Sequence, residues 1–193
     1  MPASPKSLRL EWTVILLIRL MIVLTSLMPP DWARAPGRAV GAGLYYLTGR
    51  MRRVVARQSV RSTGELISEM GRVWTQPWAQ TGALLAADGL GCVKEPLASG
   101  QGLIVLGPHL GHWELLGMHL ATLGNLSALY EPIPLKKLDQ LMHCGRQCTG
   151  GKLVPTAPRL ITEPVRSMRA GGITGILPDQ VPNVENAGIK VPF

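Results

Sequence analysis

The stretch "GLIVLGPHLGHWELLGMHL", residues 102–120, changes its hydropathy period in the middle. "GLIVL" is a short apolar run bounded by glycine and reads as a buried strand. Gly107-Pro108 then breaks the backbone, because proline has no amide proton to give a ladder. From His112 onward the apolar spacing turns helical, and Gly111 suits the start of that helix. A strand that turns tightly into a helix is the first half of a strand–helix–strand unit. The turn also concentrates polar chemistry: it holds His109, His112 and Glu114, with His119 one helical face further on, so three of the chain's four histidines lie here.

The alternation continues downstream. "NLSALYE" reads as a strand, "LKKLDQLMHCGRQC" as a helix, "GKLVPT" as a strand, "RLITEPVRSMRAGG" as a helix and "ITGILPD" as a strand, with "GIKVPF" a final apolar stretch. Strands apolar throughout and separated by helices predict an α/β fold with a largely parallel sheet covered on both faces. Active sites of such sheets lie beyond the carboxyl ends of the strands. The histidine turn follows one strand and Asp179 follows another, so two polar clusters are expected on the same edge.

Upstream, the chain reads as helical. "LEWTVILLIRLMIVLTSLMPPDW", residues 10–32, is the most hydrophobic segment, broken by Arg19 and stopped by Pro29-Pro30. Its apolar part is just long enough to cross a hydrocarbon core of roughly 30 Å. A signal peptide is disfavoured, because no small-residue cleavage site follows. A full span, an interfacial helix and a buried helix of a soluble domain all remain open, and membrane association is expected. Lys6 and Arg9 precede the segment, whereas Arg34, Arg38, Arg50, Arg52, Arg53, Arg57 and Arg61 follow it. Positive-inside asymmetry therefore places everything after residue 30 in the cytoplasm. Asp31 is expected to cap a helix to about Leu47, with Gly49 as its stop. A second helix is expected over about 51–70, and a third over 73–87 with a break at Pro77.

The 193 residues suffice for one domain with a real core, and their 46% hydrophobic and 17% charged content disfavours disorder. A net charge of +8 invites an anionic partner. No run interleaves basic and aromatic residues, which argues against nucleic acid. Cys92, Cys144 and Cys148 are odd in number and lack C-x-x-C spacing. They fit a reducing compartment and are expected to be buried structural thiols.

Three readings of the histidine turn stand side by side: a metal site, polar groups satisfied in a core, and an acid–base pair. No H-E-x-x-H is present to favour metal. On one continuous helix His109 and Glu114 would point about 140° apart. The glycine-bracketed turn removes that obstacle by placing His109 before the helix and Glu114 in its first turn. A carboxylate there suits the helix dipole and can accept the imidazole Nδ1 proton, freeing the opposite nitrogen to take a proton from a hydroxyl.

"HLGHWE" resembles the H-x4-D/E motif of glycerolipid acyltransferases, and in particular its H-[FL]-G-N-W-E form in the bacterial late acyltransferases of lipid A biosynthesis, the lauroyl/myristoyl transferase family. Three further blocks match in order. "LYEPIPLKKLDQLMHCGR" resembles the family's tyrosine-proline segment ending in a functional arginine, here Arg146. "MRAGGITGILPDQ" resembles its glycine-strand-Asp-Gln block, here Asp179 and Gln180, and "GIKVPF" looks like the start of its Pro-Phe-Phe-Gly block. His112 stands where that family usually has asparagine, and Glu131 where a basic residue is common.

The resemblance implies a glycerolipid acyltransferase-like fold, with residues 1–30 as a membrane anchor and residues 31–193 as an acyltransferase domain whose last block is expected to continue past Phe193. It implies transfer of a fatty acyl chain from acyl carrier protein to a hydroxyl of a lipid A precursor, with no metal or other cofactor, at the cytoplasmic face of the inner membrane. Other acceptors, a lysoglycerophospholipid or an ornithine lipid, stay open, as does a non-catalytic truncated remnant. In this scheme His109 is the general base and Glu114 holds its imidazole. Arg146 binds a phosphate of either substrate, and Asp179 orients Arg146 or caps a turn. Lys136 and Lys137 would meet the acidic carrier protein or form a solvated face, and His119 belongs to the core.

Overall fold

The computed structural model describes residues 5–47, 57–83, 85–156 and 162–179. Three long helices come first: α1 (Pro5–Leu27), α2 (Pro30–Leu47) and α3 (Arg57–Thr75). The short helix α4 (Trp78–Gly82) follows Pro77, where the break was expected, and α5 is Gly91–Ala98. Strands and helices then alternate as β1 (Leu103–Leu106), α6 (Trp113–Leu123), β2 (Leu126–Tyr130), α7 (Lys136–Arg146), β3 (Lys152–Pro155), α8 (Thr162–Arg169) and β4 (Ile173–Ile176). Helix α2 begins one residue before Asp31, which therefore sits in its first turn. Gly49 and "GIKVPF" lie outside the described residues.

All pairings in the sheet are parallel, and the strand order is β1-β4-β2-β3. The last strand is inserted between the first two, so Leu103 to Leu106 run beside Ile173 to Ile176. Leu126 and Ile173 share one face with Leu103 and Val105, and this face packs on Leu120 and Ala121 of α6 and on Val93 and Leu97 of α5. The opposite face meets α8, where buried Thr174 donates its hydroxyl proton to the Pro164 carbonyl. Both faces are thus covered over β4 and β2. At the edge, Ile104 and Leu106 of β1 remain exposed. Helix α5 was not anticipated: its glycine-flanked "GCVKEPLA" contains Pro96 and is too short to show a period, yet Leu97 and Val93 complete the core.

Helices α2 and α3 form an antiparallel hairpin at glycine distance. A Cβ at Gly37 would meet the Gly64 carbonyl oxygen at 2.0 Å, and one at Gly41 would meet that of Val60 at 2.5 Å. Arg34 and Arg38 flank this crossing and bond Glu69 and Glu65, at 2.5 and 2.6 Å. Helix α1 lies along α3 near Gly71, with Ile15, Ile22 and Thr25 buried.

Among the described residues no helix is long and apolar enough to cross a membrane, which leaves the expected transmembrane span unsupported. Part of the apolar content of α1 is used as core against α3. The cysteine expectation is corrected as well, since Cys92, Cys144 and Cys148 are all exposed and free. Gly145 takes the packed face of α7, so Cys144, about 100° round the helix, is turned outward.

The hairpin yields a matched test. Gly64→Ala forces its Cβ to within 2.1 Å of the Gly37 carbonyl oxygen, so the helices must separate. Overpacking of this kind costs about 1–3 kcal/mol, and a lower thermal midpoint by circular dichroism is expected. Gly43→Ala in α2 meets nothing within 4 Å and should leave the midpoint unchanged or raise it, since alanine is the better helix former.

Candidate active site

The site forms at the carboxyl ends of β1 and β4, which are neighbours in the sheet. The Gly107 N–H bonds the Ile176 carbonyl at 2.9 Å and carries the pairing one residue past β1. The chain then turns through Pro108 and His109, and Gly111 adopts φ +62°, a left-handed conformation that costs a residue with a Cβ roughly 1 kcal/mol or more. His112 follows as the N-cap of α6, with Nδ1 accepting the Leu115 N–H at 3.4 Å.

Asp179 closes the turn from the other strand. Its Oδ1 lies 2.7 Å from Nδ1 of His109, and its Oδ2 accepts the His109 backbone N–H at 2.8 Å. The side-chain bond and then the backbone bond from His109 hold the Asp179 carboxyl below its usual value, so it is an ionised acceptor at neutral pH. Nδ1 must therefore carry the shared proton. Nε2 is left without a hydrogen-bond partner among the described residues. The His109 ring also meets Trp113 edge-on, with centroids 5.1 Å apart.

Glu114 is engaged elsewhere. Its side chain is 3% exposed and bonded three ways by Arg146: Nε to Oε1 and Oε2 at 2.9 and 3.1 Å, and Nη2 to Oε1 at 2.6 Å. Glu114 stands in the first turn of α6 and Arg146 in the last turn of α7, the helix ends that suit their charges. Arg146 is placed by its neighbour, because Gly145 presses on the Trp74 ring and a Cβ there would come within 2.4 Å of it. The four residues singled out from sequence are thus gathered into two pairs, His109 with Asp179 and Glu114 with Arg146. The expected His109–Glu114 and Asp179–Arg146 contacts are not formed.

Other expectations resolve individually. The Lys137 ammonium sits over the Trp12 ring and its backbone N–H bonds Glu11 at 3.1 Å, so it is engaged within the chain. His119 is half-buried and stacked on Trp78. Among the described residues no group of three or more His, Cys, Asp or Glu side chains is gathered as a metal site. Glu69 and Trp74 of α3 were missed. They belong to a helix remote in sequence, and nothing local marks them as neighbours of the site.

Burial is the largest influence on His112 and lowers its pKa, against the opposing pull of Glu69 and Glu114. Glu69 Oε2 stands 3.9 Å from Nε2. Protonation would turn the Nδ1 acceptor into a donor facing the Leu115 N–H, and the cap would be lost. With the folded pKa below the unfolded value of 6.5, the unfolded chain takes up the proton first. Stability should therefore fall as pH drops through about 6.5 and level off below the folded pKa. His112→Asn keeps a capping oxygen and cannot titrate, so urea unfolding across this range should show a shallower fall for the variant.

A model of the bacterial lipid A biosynthesis acyltransferases matches residues 48–193, a span that contains His109, Glu114, Arg146 and Asp179. No individual curated protein matches the chain. With the sheet, the histidine turn and the family match in agreement, the chain belongs to the bacterial lipid A biosynthesis acyltransferase family.

Proposed function

We propose that this acyltransferase moves a fatty acyl chain from acyl carrier protein to a hydroxyl of a lipid A precursor, with His109 as the general base. The observation that carries the reading is the His109 ring itself: Nδ1 is tied to Asp179 at 2.7 Å, and Nε2 is left open beyond the carboxyl edge of the sheet. Nε2 takes the proton of the acceptor hydroxyl as its oxygen attacks the thioester carbonyl. The tetrahedral adduct collapses with cleavage of the C–S bond, and the departing thiolate takes the proton back from the imidazolium. The products are the O-acyl lipid and the free carrier thiol. Glu114 fixes Arg146 through its Nε and Nη2, which leaves Nη1 for a phosphate oxygen of either substrate.

The helical region supplies the approach to the lipid. Of nineteen exposed large apolar side chains among the described residues, twelve lie on α1 and α2. Trp12, Leu16, Leu20, Val23 and Leu27 recur three or four residues apart on α1, opposite the stripe of Ile15, Ile22 and Thr25 that packs inward. Such a face suits the headgroup–acyl boundary at the cytoplasmic surface of the inner membrane, with α1 as the anchor.

Two measurements test these statements. His109→Ala should lower acyl transfer from acyl carrier protein to the lipid A precursor by about 10²–10⁴-fold, the range typical of general-base catalysis. Full activity in that variant would end the base assignment. Leu16→Glu and Leu20→Glu, placed on the exposed side of α1, should reduce co-sedimentation with anionic phospholipid vesicles while the fold is kept. Undiminished sedimentation of both would remove α1 as the membrane contact.

A further inference from the structure

We infer that the groove between α8 and the amino ends of β2 and β3 is a second ligand site, one that takes a phosphate monoester on Lys152, Arg166 and the Ser127 hydroxyl. It lies at the edge of the sheet opposite to His109 and does not depend on the acyl-transfer reading.

Strand order creates the groove. Helix α8 runs from the outer strand β3 to the inserted strand β4 and packs on β4 and β2, so the face of β3 beside it stays open. The space left is about 360 Å³, lined by Asn125, Ser127 and Lys152 from the sheet side and by Glu163, Arg166 and Ser167 from the helix. That volume falls in the range of about 300–1,000 Å³ usual for small-molecule sites. The three helix residues stand three and four positions apart and so form one stripe.

The floor carries an unmatched polar group. Leu126 turns into the core beneath α6, and by strand alternation Ser127 faces α8. Its neighbours in register are Thr174 on β4 and Lys152 on β3. The Thr174 hydroxyl is satisfied by the Pro164 carbonyl, whereas the Ser127 hydroxyl, on a side chain only 3% exposed, has no partner among the described residues. A buried hydroxyl that opens onto a groove without a partner there is a group that a ligand can satisfy.

The charges say which ligand. Glu163 already places one oxyanion at the rim, with Lys152 Nζ at 2.5 Å and Arg166 Nη1 at 3.7 Å. Two cations against one carboxylate leave the groove positive, and the Arg166 guanidinium, too far from Glu163 for a hydrogen bond, keeps its donors free. A phosphate monoester carries about −1.5 to −2 charge at neutral pH and three acceptor oxygens, so it outcompetes a single carboxylate for the same cations and still reaches the Ser127 hydroxyl. The groove is larger than a phosphate group alone requires, which leaves room for the esterified part.

Isothermal titration of the 193-residue chain in detergent micelles tests this, with inorganic phosphate and glycerol 3-phosphate as soluble probes and phosphatidic acid in the micelle as the lipid probe. Glycerol 3-phosphate should bind saturably at one site. Arg166→Gln and Ser127→Ala should each weaken it by about tenfold, the value of a hydrogen bond to a charged group. Neither threatens the fold, since Arg166 is exposed and the Ser127 hydroxyl holds nothing in the free chain. Glu163→Gln removes the competing carboxylate and should tighten binding by roughly 2–5-fold, a direction that a merely structural Glu163 would not give. His109→Ala should bind as the native chain does. Phosphatidic acid held about tenfold more tightly than glycerol 3-phosphate, with the same loss in Arg166→Gln, assigns a lipid headgroup as the source; equal or weaker binding assigns a free phosphate monoester. No saturable binding of any of the three probes at millimolar concentration, or an affinity unchanged in both Arg166→Gln and Ser127→Ala, overturns the inference.

Discussion

The parallel pairing of β4 against β1 is the contact on which the site depends. It brings together two segments 70 residues apart in sequence and sets them in register, with Leu106 opposite Ile176 and the Gly107 N–H continuing the ladder. Both chains leave the sheet at the same edge, and both carry their polar group within three residues of the strand end. His109 and Asp179 therefore meet because the sheet closes there. If β4 were placed at the outer edge beside β3, the carboxylate would stand several strand spacings from the imidazole, at about 4.8 Å each.

The second constraint is the glycine-lined crossing of α2 and α3. By letting the backbones approach to the distance of Gly37 and Gly64, it holds α3 in one position along its length. Three contacts then reach toward the site from this helical region. Glu69 stands beside the capping His112, Trp74 supports Gly145 next to Arg146, and Glu11 of α1 receives the N-terminal amide of Lys137 in α7. The helices that expose an apolar surface are thus in contact with the elements that place the histidine turn.

The charges divide by environment. The Glu114–Arg146 pair is forked, with the Glu114 side chain 3% exposed and that of Arg146 22%, so loss of the guanidinium would leave the carboxylate buried without its partner. The His109–Asp179 pair is about one-third exposed on each side. A carboxylate that already carries a guanidinium is a poor partner for a second cation, whereas among the described residues the ion-pair partner of Asp179 is the His109 ring.

Much of the architecture was legible in the sequence. The period change at Gly107-Pro108 marked the first strand and its helix, apolar runs with glycine punctuation marked the later strands, and Pro77 marked a break, because these depend on interactions within a few residues. The common edge of the histidine turn and Asp179 also followed, since a parallel α/β sheet exposes only one end to its carboxyl-terminal loops. Pairing among them did not follow. Spacing favoured Glu114 as the partner of His109, five residues away, while the structure supplies Asp179 from a strand whose position is fixed by sheet order. Helix α5, the exposure of the three cysteines and the neighbours Glu69 and Trp74 were likewise settled only by packing. Local sequence specifies which groups stand at the ends of strands and helices; which of them touch is decided by the order in which the strands assemble, because hydrogen-bond reach is about 3 Å and only the tertiary fold brings distant segments that close.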